Sequence, residues 1–223
     1  MLSAQNSNFR KSLIHVIDSK YSKSDFMPLD LSVNNKALSQ LNMESSHELQ
    51  TYIQSLLKKH NKKVAIGGYL EERNLYQRST HFNSGQKEAR NIHLGVDLWV
   101  DAGTAVLAAF EGKVHSFNYN NNYGDYGPTI LLEHQLDEQH FHTLYGHLSL
   151  ESLNHLEIGQ IIGQEDRIGW IGNTEVNGDY PPHLHFQLIW DLQGMEGDYP
   201  GVCTKSELEF YKMNCPDPMK ILV

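Results

Sequence analysis

From residue 63 onward, apolar and polar residues alternate over short segments that are separated by turn-forming residues. A period of two is typical of half-buried β-strands, because successive side chains of a strand point to opposite faces. Turn residues lie at 101–103, 111–112 and 137–138. So many short strands predict a mainly β fold, an antiparallel β-sandwich or open barrel. The predicted strands are 63–69, 93–100, 105–110, 113–117, 129–134, 139–145, 168–171 and 183–190.

The last predicted strand carries a His-x-His pair, His183 and His185. In a strand the two imidazoles project from one face, while Leu184 and Phe186 between and after them point the other way. Because histidines also occur without function on half-buried strands, this pair alone does not identify a site. It becomes informative only if further ligands are present elsewhere in the chain.

Such ligands are present at His93 and Asp97. Their spacing of four is even, so in one continuous strand both side chains share a face and Leu94 and Val96 point into a core. Imidazole and carboxylate ligands suit Zn²⁺, and a catalytic zinc has three protein ligands and a water. We therefore predict a zinc site formed by His93, Asp97 and His185.

Three motifs follow one another along the chain. Residues 93–97, 145–148 and 183–186 read His-x-x-x-Asp, Tyr-x-His-Leu and His-Leu-His-Phe. In this order they resemble the lysostaphin/LytM-like zinc metallopeptidases, which cut peptide cross-links of bacterial cell walls. The resemblance extends over about residues 64–190. It implies the duplicated hybrid motif fold and a zinc endopeptidase that hydrolyses peptide bonds in peptidoglycan or in other short peptides.

The resemblance also implies catalytic roles for His147 and His183. One would act as general base for a zinc-activated water and both would stabilise the intermediate; which of them is the base stays open. An imidazole with an ordinary pKa near 6.5 suits both tasks. The chain departs from the family at Glu175 and Pro181, where glycines are usual, and at Gln187, where an acid is usual. These departures leave the predicted ligands in place but leave the substrate preference open.

Two other functions are compatible with these residues. One is a metal-binding module without catalysis, in which an N-terminal segment occludes the site. The other is a histidine phosphocarrier, which would leave His93 and Asp97 without a role. A second His-x-His pair, His140 and His142, follows a polar turn and matches no family motif, so we expect it to be structural or exposed. His81 precedes the metal motif on a loop that could approach the groove.

The N-terminal part of the chain predicts an amphipathic helix. Ser45 and Glu48 have the spacing of a capping box, apolar residues recur with helical period from Leu49, and Asn61 can end the helix. We expect this helix to brace the β-domain away from the site. The predicted organisation is an N-terminal helical appendage over 1–62, a zinc metallopeptidase-like β domain over 63–192, and a C-terminal tail over 193–223 that packs on the domain.

Composition limits the class of partner. Lys and Arg total 18 against 27 Asp and Glu, a formal charge of -9, and no basic patch is interleaved with aromatic residues. This pattern argues against nucleic acid, since phosphate binding depends on clustered cations. The expected partner is a peptide, of cell-wall or other origin. Cys203 and Cys215 are predicted to be free thiols.

The first ten residues contain no apolar run of signal-peptide length, and no stretch reaches membrane-spanning length. As written, the chain is expected to be cytoplasmic, and periplasmic or extracellular if the start shown is incomplete. Residues 180–189, 197–201 and 215–218 resemble the peptidase-like portion of large fusions with aminotransferase and small-molecule kinase domains. That resemblance implies an association with other enzyme domains.

Overall fold

The computed structural model describes residues 14–43, 45–78 and 88–222. Most of the regular structure is β, so the predicted mainly β class is confirmed. The strands are β1 (Phe26–Pro28), β2 (Val64–Gly67), β3 (Ile92–His93), β4 (Val96–Trp99), β5 (Ala105–Leu107), β6 (Gly112–Asn120), β7 (Gly127–Leu136), β8 (Gln139–Gly146), β9 (Ile161–Ile162), β10 (Arg167–Trp170), β11 (His183–Ile189) and β12 (Val202–Cys203).

One large sheet organises the molecule, with strand order β1-β2-β4-β11-β8-β7-β6-β9. Its neighbours pair antiparallel, except that β1 pairs parallel with β2. Two ribbons, β5 with β10 and β3 with β12, complete the described sheets. The parallel pair makes the large sheet mixed, and it brings a strand from the predicted appendage into the main sheet. The domain boundaries at 62 and 192 stay predictions.

The alternation on β4 and β11 separates the core from the site. Val96 and Leu98 of β4 and Leu184 and Phe186 of β11 are buried in one core cluster, together with Val106 of the β5–β10 ribbon. Burying each of these side chains contributes roughly 1.5–3 kcal/mol. The residues between them point to the opposite face. The core thus fixes the register that brings the polar residues of both strands to one surface.

The single strand predicted for residues 93–100 is wrong. The chain forms β3, which pairs with β12, and then β4, which pairs with β2 and β11. At the break between them, a Cβ on Gly95 would lie 2.7 Å from the ring of His185 and from the carbonyl oxygen of Phe186. The chain therefore bends around His185 at a residue without a side chain. His93 and Asp97 converge from two sheets and do not alternate along one strand.

The predicted N-terminal helix is present as α1 (Ser46–His60). Ser45 Oγ accepts a hydrogen bond from the Glu48 N–H, and Asn61 ends the helix in the left-handed conformation with φ 51°. The Glu48 carboxylate accepts from Asn42 N–H, so the capping box is one-sided. Leu49 and Ile53, the two buried residues of α1, pack in a cluster with Trp99. The C-terminal helices are α2 (Leu208–Asn214) and α3 (Met219–Leu222).

Four short 3-10 segments connect these elements in the described ranges: Lys23–Asp25, Lys36–Gln40, Leu75–Arg78 and Leu150–Leu153. None of the helices found in the described part of the chain combines the length and the apolar character needed to cross a bilayer.

Candidate active site

His93, Asp97 and His185, the three predicted metal ligands, meet in the folded chain. Asp97 on β4 stands directly opposite His185 on β11, and His93 approaches from the end of β3. Asp97 Oδ1 lies 3.3 Å from His93 Nε2 and 3.3 Å from His185 Nδ1, and the two imidazole nitrogens are 2.9 Å apart. Three potential ligand atoms therefore face one another in the interior.

The outer nitrogens of both imidazoles set their tautomers. His93 Nδ1 lies 2.9 Å from the carbonyl oxygen of Gly68, and His185 Nε2 lies 2.9 Å from Gln187 Oε1. An oxygen acceptor at each outer nitrogen places the proton there, which leaves a lone pair on the inner nitrogen. Gln187, the departure from the usual acid, thus supplies a neutral acceptor to His185.

The donor set fits a metal ion. Asp97 Oδ1 is buried and makes no hydrogen bond to any described residue, and the two inner nitrogens present lone pairs to it. Such a group of buried acceptors is stabilised by a cation. In a tetrahedral zinc site with bonds of 2.0–2.1 Å the ligand atoms are separated by about 3.3 Å. The observed separations of 2.9, 3.3 and 3.3 Å are close to that value. Together, the separations and the donor chemistry suit zinc.

The charges at the site favour metal binding at neutral pH. Burial lowers the pKa of His93 to about 4, so its imidazole is neutral and can act as a ligand. Burial alone would raise the pKa of Asp97, but His93 and the guanidinium of Arg73 hold it well below its ordinary value. Asp97 is therefore an anion with only 2% of its surface exposed.

His147 and His183 stand beside the ligand group. Their ring centroids are 4.2 Å apart, and His183 Nε2 is 3.8 Å from Asp97 Oδ1. Each places Nδ1 2.8 Å from a carbonyl oxygen, that of Asn177 for His147 and that of Pro181 for His183. Nδ1 is therefore the protonated nitrogen, and Nε2 is the basic one in both rings.

The environment of these two histidines keeps them neutral and fixes their rings. Burial lowers the pKa of His183 to about 4 and that of His147 well below its ordinary value. His147 follows β8 with φ 62°, a left-handed conformation that non-glycine residues rarely adopt and that is concentrated at functional sites. Two neutral imidazoles with fixed tautomers can accept a proton at Nε2 and, once protonated there, donate a hydrogen bond to a reacting group.

Aromatic side chains pack against the rings of His147 and His183. Trp99 stacks on His183 with centroids 4.1 Å apart and an interplanar angle of 21°. Tyr180 meets His147 edge-on at 5.1 Å and His183 at 5.8 Å. Trp99 and Tyr180 also belong to the apolar cluster that contains Leu49 of α1. The helix therefore packs in the same cluster as the aromatic residues that contact the two histidines. Its predicted role as a brace stays a prediction.

A cavity of about 290 Å³ opens in front of the five polar residues. None of the described residues that line it belongs to α1. Its walls come from the turn before β3, the loop before β7 and the segment leading into β12. Besides the five, the lining residues are Leu75, Tyr76, Arg90, Gly124, Asp125, Tyr126, Tyr180, Met195, Asp198, Tyr199, Pro200, Gly201 and Val202.

Some site residues were not anticipated from sequence. Arg73 lies in a run of charged residues that is typical of a solvated loop, yet it is buried beside Asp97. Residues 118–127 carry three tyrosines, a pattern that in the sequence is compatible with a groove and with a surface hairpin alike. Tyr126 lines the cavity, whereas Tyr119 and Tyr123 are exposed.

The second His-x-His pair lies apart from the site. His140 is exposed and His142 is half-buried next to His115, with ring centroids 5.2 Å apart. Neither lines the cavity. His81 falls outside the described residues.

All five predicted site residues lie within residues 91–196, which match the model of Peptidase family M23. The chain contains a peptidase family M23 domain. The chain is 36% identical over 96 residues to an uncharacterized metalloprotease of Haemophilus influenzae, covering 43% of this chain. It is 35% identical over 98 residues to lysostaphin of Staphylococcus staphylolyticus, covering 44% of this chain. The match spans only 18% of the length of each of these two relatives.

Among solved structures, the catalytic domain of lysostaphin from Staphylococcus simulans is similar at 27% identity and a TM-score of 0.38. That similarity covers 55% of this chain and 80% of the lysostaphin domain.

Proposed function

We propose that this chain is a zinc-dependent endopeptidase that hydrolyses short peptides, of peptidoglycan or other origin. One observation carries the proposal. The inner atoms of His93, Asp97 and His185 converge as a group that could hold a zinc ion, and two further neutral histidines, His147 and His183, line the same cavity. Membership of the M23 domain in a metallopeptidase family supports the same reaction class.

In this proposal each residue has a distinct task. His93 Nε2, Asp97 Oδ1 and His185 Nδ1 would hold the zinc. The chemistry that zinc supplies when bound is Lewis acidity, which lowers the pKa of a coordinated water and polarises a carbonyl group. One of His147 and His183 would take up the proton of the attacking water through its Nε2, and either ring, once protonated there, would stabilise the charge that develops on the amide oxygen.

The phosphocarrier alternative is less well supported. A phosphoryl acceptor needs one accessible imidazole nitrogen, but His93 and His185 direct their basic nitrogens at each other and at a carboxylate. Asp97 would repel an incoming phosphate.

The cavity supports a short extended peptide as substrate. At about 290 Å³ the cavity is too small for a folded domain. Tyrosines line it, and their rings present polar hydroxyl groups. Several lining residues, among them Tyr76, Arg90 and Tyr199, lie outside residues 91–196. We therefore propose that substrate preference depends on segments that flank the M23 domain.

Zinc content and turnover, measured on the same preparation, test this function. We expect one zinc per chain by elemental analysis, and cleavage within a panel of Gly-rich and D-amino-acid peptides. Cleavage should stop on zinc removal by a chelator and return when zinc is restored. A zinc-loaded protein that cleaves no member of a broad panel would contradict the proposed activity.

A metal-binding module without catalysis is the second candidate. It is favoured by the burial of the site, where the side chains of the three proposed ligands and of the two other histidines are all buried. Zinc binding without turnover in the test above is the result that this candidate predicts. The location of the protein, whether cytoplasmic, periplasmic or extracellular, stays a prediction.

A further inference from the structure

Among the residues that the structure describes, Arg73 is the largest charged side chain in the interior, with 1% of its surface exposed. Its Nη1 donates to Asp97 Oδ2 at 2.6 Å and to the Tyr76 hydroxyl at 3.2 Å, and its Nε donates to Glu71 Oε2 at 2.5 Å. A buried guanidinium with two carboxylate partners is held in one orientation, because its donors are fixed in a plane. Arg73 therefore bridges Glu71 and Asp97.

The two oxygens of Asp97 have different surroundings because of this bridge. Oδ2 is engaged by Arg73 Nη1, whereas Oδ1 faces His93 and His185 without a hydrogen-bond partner among the described residues. A carboxylate that rotated to present both oxygens to a metal would lose the bond to Arg73. The arrangement thus favours binding through one oxygen only.

The other end of the bridge is anchored to the N-terminal segment. Glu71 Oε1 accepts from the backbone N–H of Leu31 at 3.1 Å, and Leu31 is buried in the cluster that also contains Trp99. The backbone of Arg73 is tied as well, since its N–H donates to the carbonyl oxygen of Asn91 at 2.9 Å. The guanidinium is therefore held by contacts on both sides.

Gly68 provides the space that the bridge needs. Its φ is +106°, and a Cβ there would lie 1.8 Å from Arg73 Nη2 and 3.0 Å from His93 Nδ1. The same residue supplies the carbonyl oxygen that sets the tautomer of His93. A glycine at this position lets the Arg73 guanidinium and the His93 ring pack against the backbone together.

We infer that Arg73 is a positioning residue for the metal: it binds Asp97 Oδ2 so that Oδ1 alone is directed to the ion. This rests on the proposed zinc site. Arg73 precedes residues 91–196, so the inference assigns a role at the metal to a segment that the family match does not cover. Outer-sphere partners of metal ligands commonly contribute 10- to 100-fold to metal affinity.

Metal titration of the full chain tests the inference with Zn²⁺ and Co²⁺ as probes. The variants are Arg73→Met, which removes the charge and the donors, and Arg73→Lys, which keeps the charge but cannot bridge Glu71 and Asp97. The matched control is Arg167→Met, because Arg167 is exposed and stacks on Trp170 away from the site. Zinc Kd is measured by competition with a chromophoric chelator, and the cobalt absorption spectrum reports the coordination number.

We expect Arg73→Met to bind zinc about 10- to 100-fold more weakly than the wild-type chain. The zinc Kd of Arg73→Lys should lie between those of the wild type and Arg73→Met. Cobalt in Arg73→Met should show weaker d–d bands, because Asp97 is then free to bind through both oxygens. Arg167→Met should match the wild type in both measurements. A general loss of packing would not change the cobalt coordination number of the fraction that binds.

The inference is overturned if Arg73→Met has the zinc affinity and cobalt spectrum of the wild type. If Arg73→Met does not fold, the same result in Arg73→Lys overturns it. Tighter metal binding in either variant would also overturn it, because Arg73 would then oppose the ion. Failure of the wild-type chain to bind zinc would refute the proposed function itself. The two failures are therefore distinguishable without any peptidase assay.

Discussion

Two His-x-His pairs lie on the same face of the same sheet, and only one belongs to the site. His185 on β11 stands opposite Gly146 on β8, and His142 on β8 stands opposite Ile189 on β11. Directly opposed residues share a face, so His142 and His185 differ only in position along the strands. They are four residues apart, about 14 Å. Identical spacing on neighbouring strands therefore leads to different environments.

The carboxylate nearest to each pair explains the difference. Asp97 stands opposite His185, is buried, and keeps Oδ1 without a hydrogen-bond partner in the described ranges. Glu133 stands opposite His142, but its Oε2 lies 3.2 Å from Lys113 Nζ, so its charge is already balanced. A histidine pair becomes a candidate metal-binding group when it meets a buried carboxylate that keeps one oxygen free of hydrogen bonds, as Asp97 does with Oδ1 although its Oδ2 binds Arg73. Within the described residues, His93, Asp97 and His185 are the only such group.

Removing a ligand is expected to have the largest effect. Each of His93→Ala, Asp97→Ala and His185→Ala should abolish stoichiometric zinc and reduce turnover to background, because two remaining ligands do not complete a catalytic zinc site. His142→Ala is the matched control and should keep its zinc. Elemental analysis of the purified variants decides the matter, and full zinc in all three ligand variants would refute the assignment.

Removing either of the other two histidines should separate chemistry from binding. We expect His147→Ala and His183→Ala to keep zinc while turnover falls by about 10²- to 10⁴-fold, the usual contribution of general acid–base catalysis. Steady-state kinetics and zinc content are measured on the same samples. Loss of zinc in the His183 variant would make it a ligand, and undiminished turnover in both would disprove the mechanism.

Helix α1 packs near the end of the sheet that carries His183. A substitution of a buried residue of α1 tests whether the helix stabilises the β-domain as predicted. Leu49→Ala should lower the free energy of unfolding by about 2–5 kcal/mol, because Leu49 is 1% exposed and its removal leaves a cavity. Leu56→Ala, at a half-buried position on the same helix, should cost less. Urea unfolding measures both, and equal losses would show that the helix packs differently.

The other end of the sheet makes a pH-dependent contribution to stability. His134 Nδ1 lies 2.9 Å from the carbonyl oxygen of Glu111 and Nε2 lies 2.7 Å from Thr143 Oγ1, which suits a neutral ring, and burial lowers its pKa to about 4. The unfolded chain binds this proton below its ordinary pKa near 6.5. Stability from His134 is therefore complete above pH 6.5 and is lost as the pH falls toward 4, by about 3 kcal/mol in total.

The free energy of unfolding, measured between pH 4 and 7 in the wild type and in His134→Gln, isolates this contribution. We expect a shallower pH dependence in the variant, because the group that titrates is gone. The exposed His140 supplies the control, since His140→Gln should leave the slope as it is in the wild type. An unchanged slope in His134→Gln would contradict the assignment.

The smallest effect is expected at the exposed member of the second pair. His140→Ala should change the free energy of unfolding by less than about 0.5 kcal/mol, as is usual for an exposed residue outside any network. It should leave zinc content and turnover at wild-type values. A larger effect on turnover would mean that the two histidine pairs are not as distinct as their surroundings indicate.

Much of this molecule could be predicted from local patterns. Period-two alternation located most strands to within a few residues, because burial of one face is a local constraint on sequence. The capping signals at Ser45 and Asn61 located α1 for a similar reason. The five candidate site residues could be named because their motifs are short and ordered along the chain.

Other features depend on contacts between distant parts of the chain. The bend at Gly95 and the division of 93–100 into two strands follow from the position of the His185 ring, which no local pattern encodes. The parallel pairing of β1 with β2 depends in the same way on a partner almost 40 residues away.

The sequence by itself determined most strands and the helix, because each is set by residues within one turn or one strand, and its short ordered motifs indicated the candidate ligands. Only the tertiary structure decided which oxygen of Asp97 stays free of hydrogen bonds and where Arg73 lies. Arg73 appears in the sequence among Glu71, Glu72 and Asn74 as one more charge of a polar loop. It is buried because folding closes Leu31, Glu71 and Asp97 around it. The cost of burying its charge is offset only once all of these partners are in place.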